Sequence, residues 1–173
     1  VFADDVVLRR KDTKQIRSQR PGRRKKRYIC LCKNDPIMKK EWNDVREFHD
    51  KFGHPVAHKP RMVDKQRALS RGKWMNEEVA EFLVADTIYE QADAMIDLMY
   101  FALGTLVEMG LEADELFDIV QRANMAKLWP DGKPHYNPKD GKVIKPAGWE
   151  DPEPKIRAYI DSVIAAKGGG QAR

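Results

Sequence analysis

The chain has 173 residues, 42% hydrophobic and 34% charged, with a net charge of +5, a balance that excludes both a membrane protein and a chain disordered throughout. No apolar run approaches the roughly 20 residues that cross a bilayer, and the opening VFADDVVLRR lacks the features of a secretory signal, so a cytoplasmic protein with no membrane partner is expected. A chain of this size buries roughly 70% of the surface of its unfolded form, enough for a core without staples.

Residues 1–40 hold fourteen Lys or Arg against four Asp, a local charge of +10, while the remaining residues carry eighteen basic and twenty-three acidic side chains. The run RRKDTKQIRSQRPGRRKKR has few apolar residues and reads as a solvated basic arm, flanked by the strand-like stretches VFADDVVL and RYICLCK. Nucleic-acid binding through this arm is the alternative to a solubility tail or linker. Cys30 and Cys32 form a CxC pair with no further ligands at zinc spacing, and are expected to be reduced thiols.

From residue 41 to 167 the pattern is helical, with a flexible tail at 168–173. Trp42, Val45, Phe48 and Phe52 make one apolar stripe over Glu41–Phe52, stopped by Gly53 and Pro55. A second helix is expected over Val63–Leu83, with Leu69, Trp74 and Phe82 as apolar contacts. A third follows an N-cap at Asp86 or Thr87 and ends at Gly110. A fourth runs over Asp114–Met125. The segment Trp129–Trp149 is rich in Pro and Gly, and its Asp140-Gly141 pair signals a hairpin or tight turn. A last helix covers Pro154–Ala166. The fold class is all-α: an antiparallel helical bundle with a basic N-terminal arm and a Pro/Gly-rich loop or hairpin before the final helix.

Glu77, Glu78 and Glu81 share one face of the second helix, where like charges repel, and alone they would more often be a solvated acidic face. Asp93 and Asp97 stand four apart in a third helix that is apolar on nearly every side, so their burial is expected. Buried carboxylates must take up protons or meet cations, whether Arg and Lys or a metal. Antiparallel packing of the two helices brings the five acids together, and hard oxygen donors without His or Cys select Mg²⁺, with Mn²⁺ as the alternative. Magnesium so held completes its shell with phosphate oxygens, which points to phosphate chemistry.

These residues resemble a known family. The EExxE of Glu77–Glu81, the helix DAMIDLMYFALGTLVEMGL, and the elements LFDIVQRANMAKLWPDGK and DGKVIKPAGW are similar to the all-α NTP pyrophosphohydrolases, the MazG-like and phosphoribosyl-ATP pyrophosphohydrolase-like superfamily, over about Glu41 to Ile160. The resemblance implies a Mg²⁺-dependent enzyme that cleaves a (deoxy)nucleoside triphosphate between the α and β phosphates, releasing the monophosphate and pyrophosphate. The phosphoribosyl-ATP reaction is the alternative within the superfamily. It implies Glu78, Glu81, Asp93 and Asp97 as metal ligands and Glu77 or Glu78 as proton acceptor. Asn124, Lys127, Lys133, Lys142 and Lys145 become the residues for the polyphosphate. Apart from the resemblance, Trp129, Tyr136 or Trp149 could stack on a base, although an aromatic in a Pro-rich loop is more often a packing anchor. The resemblance further implies a homodimer or homotetramer with the site at or near a subunit interface, to which Met95, Met99, Phe101 and Leu106 would contribute. Many members carry ExxD on the second acidic helix, whereas Asp97 has Ala at position 94 and Asp93 four residues before it; Glu90 and Asp93 make an ExxD of their own.

Overall fold

A computed structural model describes residues 38–168, all within the second of two units, 1–34 and 35–173, into which the chain divides. The basic arm with its strand-like flanks and cysteines, and the end of the tail, lie outside the described residues. Within them the fold is five helices and no strand: α1 (Lys39–Phe52), α2 (Lys65–Val84), α3 (Ile88–Met109), α4 (Ala113–Met125) and α5 (Glu153–Ala166). None is long and apolar enough to cross a membrane by itself.

The helix ends follow local chemistry. Asp64 caps α2 by accepting the Arg67 N–H at 2.9 Å, and Thr87 with Glu90 forms a reciprocal capping box on α3. Gly53 and Gly110 close α1 and α3 in the left-handed conformation, at φ of 71° and 68°. Gly110 is also crowded, since a Cβ there would lie 2.5 Å from the Lys59 carbonyl oxygen. That approach belongs to the connector between α1 and α2, which lies on the end of α3 through Ala57 N–H to Val107 O (3.2 Å) and Arg61 N–H to Met109 O (3.0 Å).

The core is assembled where α1 crosses the C-terminal half of α3. Trp42 and Val45 pack with Leu103, Val107 and Ala113, and Met38, Val56 and Leu106 close the edges. His49 is the third buried residue of α1, on the stripe that periodicity assigned to apolar contacts, whereas Phe52 at its end is exposed. Leu69, expected among the contacts of α2, also points outward. The main packing of the unit is α2 against α3, joined through the three-residue link Ala85–Thr87, while α4 packs on α5 and α1. Between α4 and α5 the Asp140-Gly141 turn closes a minimal hairpin, with one antiparallel bridge from Tyr136 to Val143.

The expectation of a third helix buried along its length is corrected. Leu103, Gly104, Val107 and Glu108 are buried, but in the N-terminal half Ala94 alone is: Ile88 is 75% exposed, Tyr89 82% and Ile96 61%, and Asp93 and Asp97 are exposed as well. The reason is reach. Among the described residues Phe48 of α1 packs edge-on against Tyr100 at 5.6 Å and the core contacts of α1 lie beyond it at Leu103 and Val107, which leaves α2 as the principal helical neighbour of the first three turns of α3.

Candidate active site

The α2–α3 hairpin carries the five acids near its linked end. Glu78 is half-buried, whereas Glu77, Glu81, Asp93 and Asp97 are exposed. The carboxyl of Glu78 is held above the ordinary value of 4.5 by partial burial and then by the charges of Glu81, Asp97, Asp93 and Glu77. Each charge acting on it is thus an acid, contributed from both helices. Glu77 has Lys73 within 3.6 Å, an exposed pair of little energetic weight. Among the described residues no three carboxylates or imidazoles stand close enough to form a finished metal cage. The donors are hard oxygens of the kind Mg²⁺ takes.

A cleft of about 270 Å³ opens at the link, between Glu81, Asp86, Glu90 and Asp93 over Val84 and Ala85. Glu90 accepts the backbone N–H of Asp86 at 2.9 Å and of Thr87 at 3.0 Å, bonds that hold its carboxyl below the usual range. Its carboxylate is therefore engaged as a cap, and Asp93 is the partner of Asp97 that faces Glu78.

The residues expected to hold phosphate divide into two groups. Lys127 donates to the Asn124 side chain at 2.7 Å, Lys145 lies 3.7 Å over the Trp149 ring, Lys127 lies 5.9 Å from that ring, and the indole is fixed by Nε1–H to the Ala123 carbonyl at 2.8 Å. Asn124, Lys127 and Lys145 thus gather around Trp149 at the end of α4. Lys133 and Lys142 stand outside this group, in turns where Asp131 and Asp140 accept their backbone N–H groups. Trp129 is a packing anchor, stacked on His135 at 4.4 Å and donating to the Ile144 carbonyl, while Tyr136 is exposed. Because α4 packs on α5 and α1, the basic group and the acidic hairpin belong to different layers of one chain.

Further down the hairpin is a buried polar cluster that the sequence reading missed. Glu108 is 1% exposed and accepts both Nε–H and NH2 of Arg67, at 2.9 and 2.7 Å. Arg71, 4% exposed, has NH1 3.6 Å from the same carboxylate, and donates from Nε to the Thr105 hydroxyl and from NH2 to the Phe101 carbonyl. Glu108 raises the affinity of Arg67 for its proton, whereas burial lowers that of Arg71. The signal was present in the sequence: a single charge inside the apolar run TLVEMG, and two arginines four apart on the stripe of α2 that also carries Glu78. The acid of α3 that is buried and compensated is Glu108, not Asp93 or Asp97.

The family model for phosphoribosyl-ATP pyrophosphohydrolase matches residues 45–124, a span that contains all five acids and ends before Lys127. Among 24 matching solved chains, one from Exiguobacterium sp. 255-15, provisionally identified as an NTP pyrophosphohydrolase, is 33% identical over 73% of this chain and 97% of its own, with a TM-score of 0.44. The identity along nearly the whole of that chain, not the superposition, decides the matter. The chain belongs to the all-α NTP pyrophosphohydrolase superfamily. It is accordingly of the nucleotide pyrophosphohydrolase type, a hydrolase of phosphoric anhydrides, and the acidic hairpin lies within the residues that the family model matches. No curated protein matches it significantly.

Proposed function

We propose that the protein is a Mg²⁺-dependent pyrophosphohydrolase that cleaves a (deoxy)nucleoside triphosphate between the α and β phosphates, releasing the monophosphate and pyrophosphate. The observation that carries this proposal is the gathering of four further acids from two helices around Glu78, with no compensating cation among the groups that shift it. Glu78, Glu81, Asp93 and Asp97 would hold the metal. Bound there, the ion would offset the charge of the phosphates and make a water more acidic. Glu77 or Glu78, whichever carboxylate is not engaged by the metal, is the proton acceptor for that water.

Asn124, Lys127 and Lys145, with Lys133 and Lys142 on the adjoining turns, supply positive charge for the polyphosphate. Their place in another layer supports a homodimer or homotetramer in which one subunit's basic group meets a neighbour's acids. The uncovered apolar side chains Leu83, Val84, Ile88 and Tyr89 at the hairpin tip favour the same arrangement. The family model favours a second reading, hydrolysis of phosphoribosyl-ATP.

The test is a pyrophosphate-release screen of the common NTPs and dNTPs and of phosphoribosyl-ATP, with Mg²⁺ and with EDTA. The proposal expects release from at least one nucleoside triphosphate, loss in EDTA, and loss on Asp97→Ala. Release from phosphoribosyl-ATP alone selects the second reading, and release that persists in EDTA rejects the metal site.

A further inference from the structure

The pairs that face each other across the α2–α3 seam keep one register. Arg67 meets Glu108 in an ion pair, Arg71 meets Gly104, Trp74 stacks on Phe101 with centroids 5.9 Å apart, and Glu78 feels the charge of Asp97. Each step of three or four residues up α2 is matched by the same step down α3, as antiparallel helices in constant register require. Glu78 and Asp97 are each seven residues from the Arg71–Gly104 crossing, about 10 Å along their helices at 1.5 Å per residue.

At that crossing the fit is closest. A Cβ on Gly104 would lie 2.2 Å from Arg71 NH2 and 2.8 Å from His49 Nε2, so the guanidinium occupies the space that any other residue at 104 would need. Its remaining bonds go to the Thr105 hydroxyl (3.1 Å) and the Phe101 carbonyl (2.9 Å), both on α3. Sliding α3 by one residue in either direction would drive a Cβ into the guanidinium and break both bonds.

We propose that Arg71, seated in the notch at Gly104, is a positioning residue that locks the axial register of the hairpin and thereby sets Glu78 opposite Asp97. The lock deepens the proposed function and rests on it only where metal binding is the readout. It touches neither substrate nor metal and acts through the helix that carries Glu78.

The test compares the full chain with Gly104→Ala and with Gly104→Ala/Arg71→Ala. It measures Mn²⁺ affinity by electron paramagnetic resonance, helix content and melting by circular dichroism, and the Glu78–Asp97 Cα separation in crystals. Gly104→Ala is expected to stay helical, to shift Glu78 against Asp97 and to bind Mn²⁺ about tenfold more weakly or worse, the size of effect seen when a supporting residue of a metal site is lost. Removing Arg71 in that background relieves the clash but leaves the register unlocked, so the affinity stays below that of the unsubstituted chain. A notch that merely has to be free of a clash predicts full recovery of the affinity instead.

Unchanged Mn²⁺ affinity in a folded Gly104→Ala, or a double variant restored to the affinity of the unsubstituted chain, overturns the lock. If Gly104→Ala does not fold, the double variant decides: weakened Mn²⁺ binding by a folded chain upholds the lock, and undiminished binding, or failure to fold, overturns it. If the unsubstituted chain binds no Mn²⁺, the metal-site proposal fails. The lock is then judged by the crystals alone, where an unshifted Cα separation in Gly104→Ala, or in the double variant if the single one does not fold, refutes it.

Discussion

Replacing Glu108 with Gln keeps the size and one carbonyl acceptor of the side chain but removes the carboxylate that faces two guanidiniums. Glu108 is 1% exposed and Arg71 4%, so both are withdrawn from water. Taking one partner from a buried pair costs about 3 to 5 kcal/mol, because the other charge is left uncompensated. Arg67 retains some solvent at 23% side-chain exposure, which places the expected loss near the lower end, about 3 kcal/mol. For a folded unit of this size that corresponds to a fall in melting temperature of about 10 °C. Urea unfolding followed by circular dichroism measures the free energy directly. Glu115→Gln is the control, since its bond to Arg122 joins side chains 46% and 60% exposed and is worth less than about 0.5 kcal/mol. Added salt should shrink the effect at Glu115 and leave that at Glu108 nearly intact. A loss below about 1 kcal/mol for Glu108→Gln, or one no larger than the control's, refutes the assignment of this cluster as a buried ionic tie.

Three further outcomes are expected. His49 is buried with Nδ1 2.9 Å from the Pro55 carbonyl, and burial holds it below its ordinary 6.5; stability is therefore full above that value and falls as pH drops through the lowered pKa. Melting curves from about pH 7.5 to about 5.5 should show a shallower decline for His49→Gln, and equal slopes contradict the reasoning. Glu78 has a raised pKa, so its ionised form costs stability at neutral pH, a cost relieved as pH falls through that value. Glu78→Gln should then melt higher than the unsubstituted chain in EDTA and lose any gain on adding Mg²⁺; a lower melting point in EDTA counts against repulsion at this site. Gly53→Ala, in open space at φ 71°, should lose about 1 to 2 kcal/mol from the left-handed backbone alone. Gly110→Ala adds a clash with Lys59 and should lose at least about 1 kcal/mol more; equal losses would mean that the connector yields freely.

What could be read in the sequence was what neighbouring residues decide. Helix positions came from spacing, and their ends from Thr87, Gly53 and Gly110, whose cap chemistry acts over three or four residues. The grouping of Glu77, Glu78 and Glu81 with Asp93 and Asp97 was legible because a short link forces α2 and α3 to pair. How far along α3 the cover of α1 extends was not legible. An apolar periodicity tells which face is buried but not where a neighbour of fourteen residues stops. For that reason Asp93 and Asp97 were assigned the burial that belongs to Glu108, and their gathering at one end of the seam, not their environment, carries the site. The arginines that compensate Glu108 stand forty-one and thirty-seven residues before it, and no local pattern joins charges at that separation. Asn124 and Lys127 were linked by the resemblance of ANMAK to the family's pattern, whereas the seating of Lys145 on Trp149 depended on the path of an irregular loop.

The α2–α3 hairpin is fastened twice, by the covalent link Ala85–Thr87 above the acids and by the Arg67–Glu108–Arg71 tie below them. A beam pinned at both ends has little freedom to spread in the middle, so the gauge between Glu78 and Asp97 is set before any ligand arrives. Under the proposed function, whatever yielding is needed to admit and release a bulky anion would fall to the loops that approach this frame, while the frame itself holds its spacing.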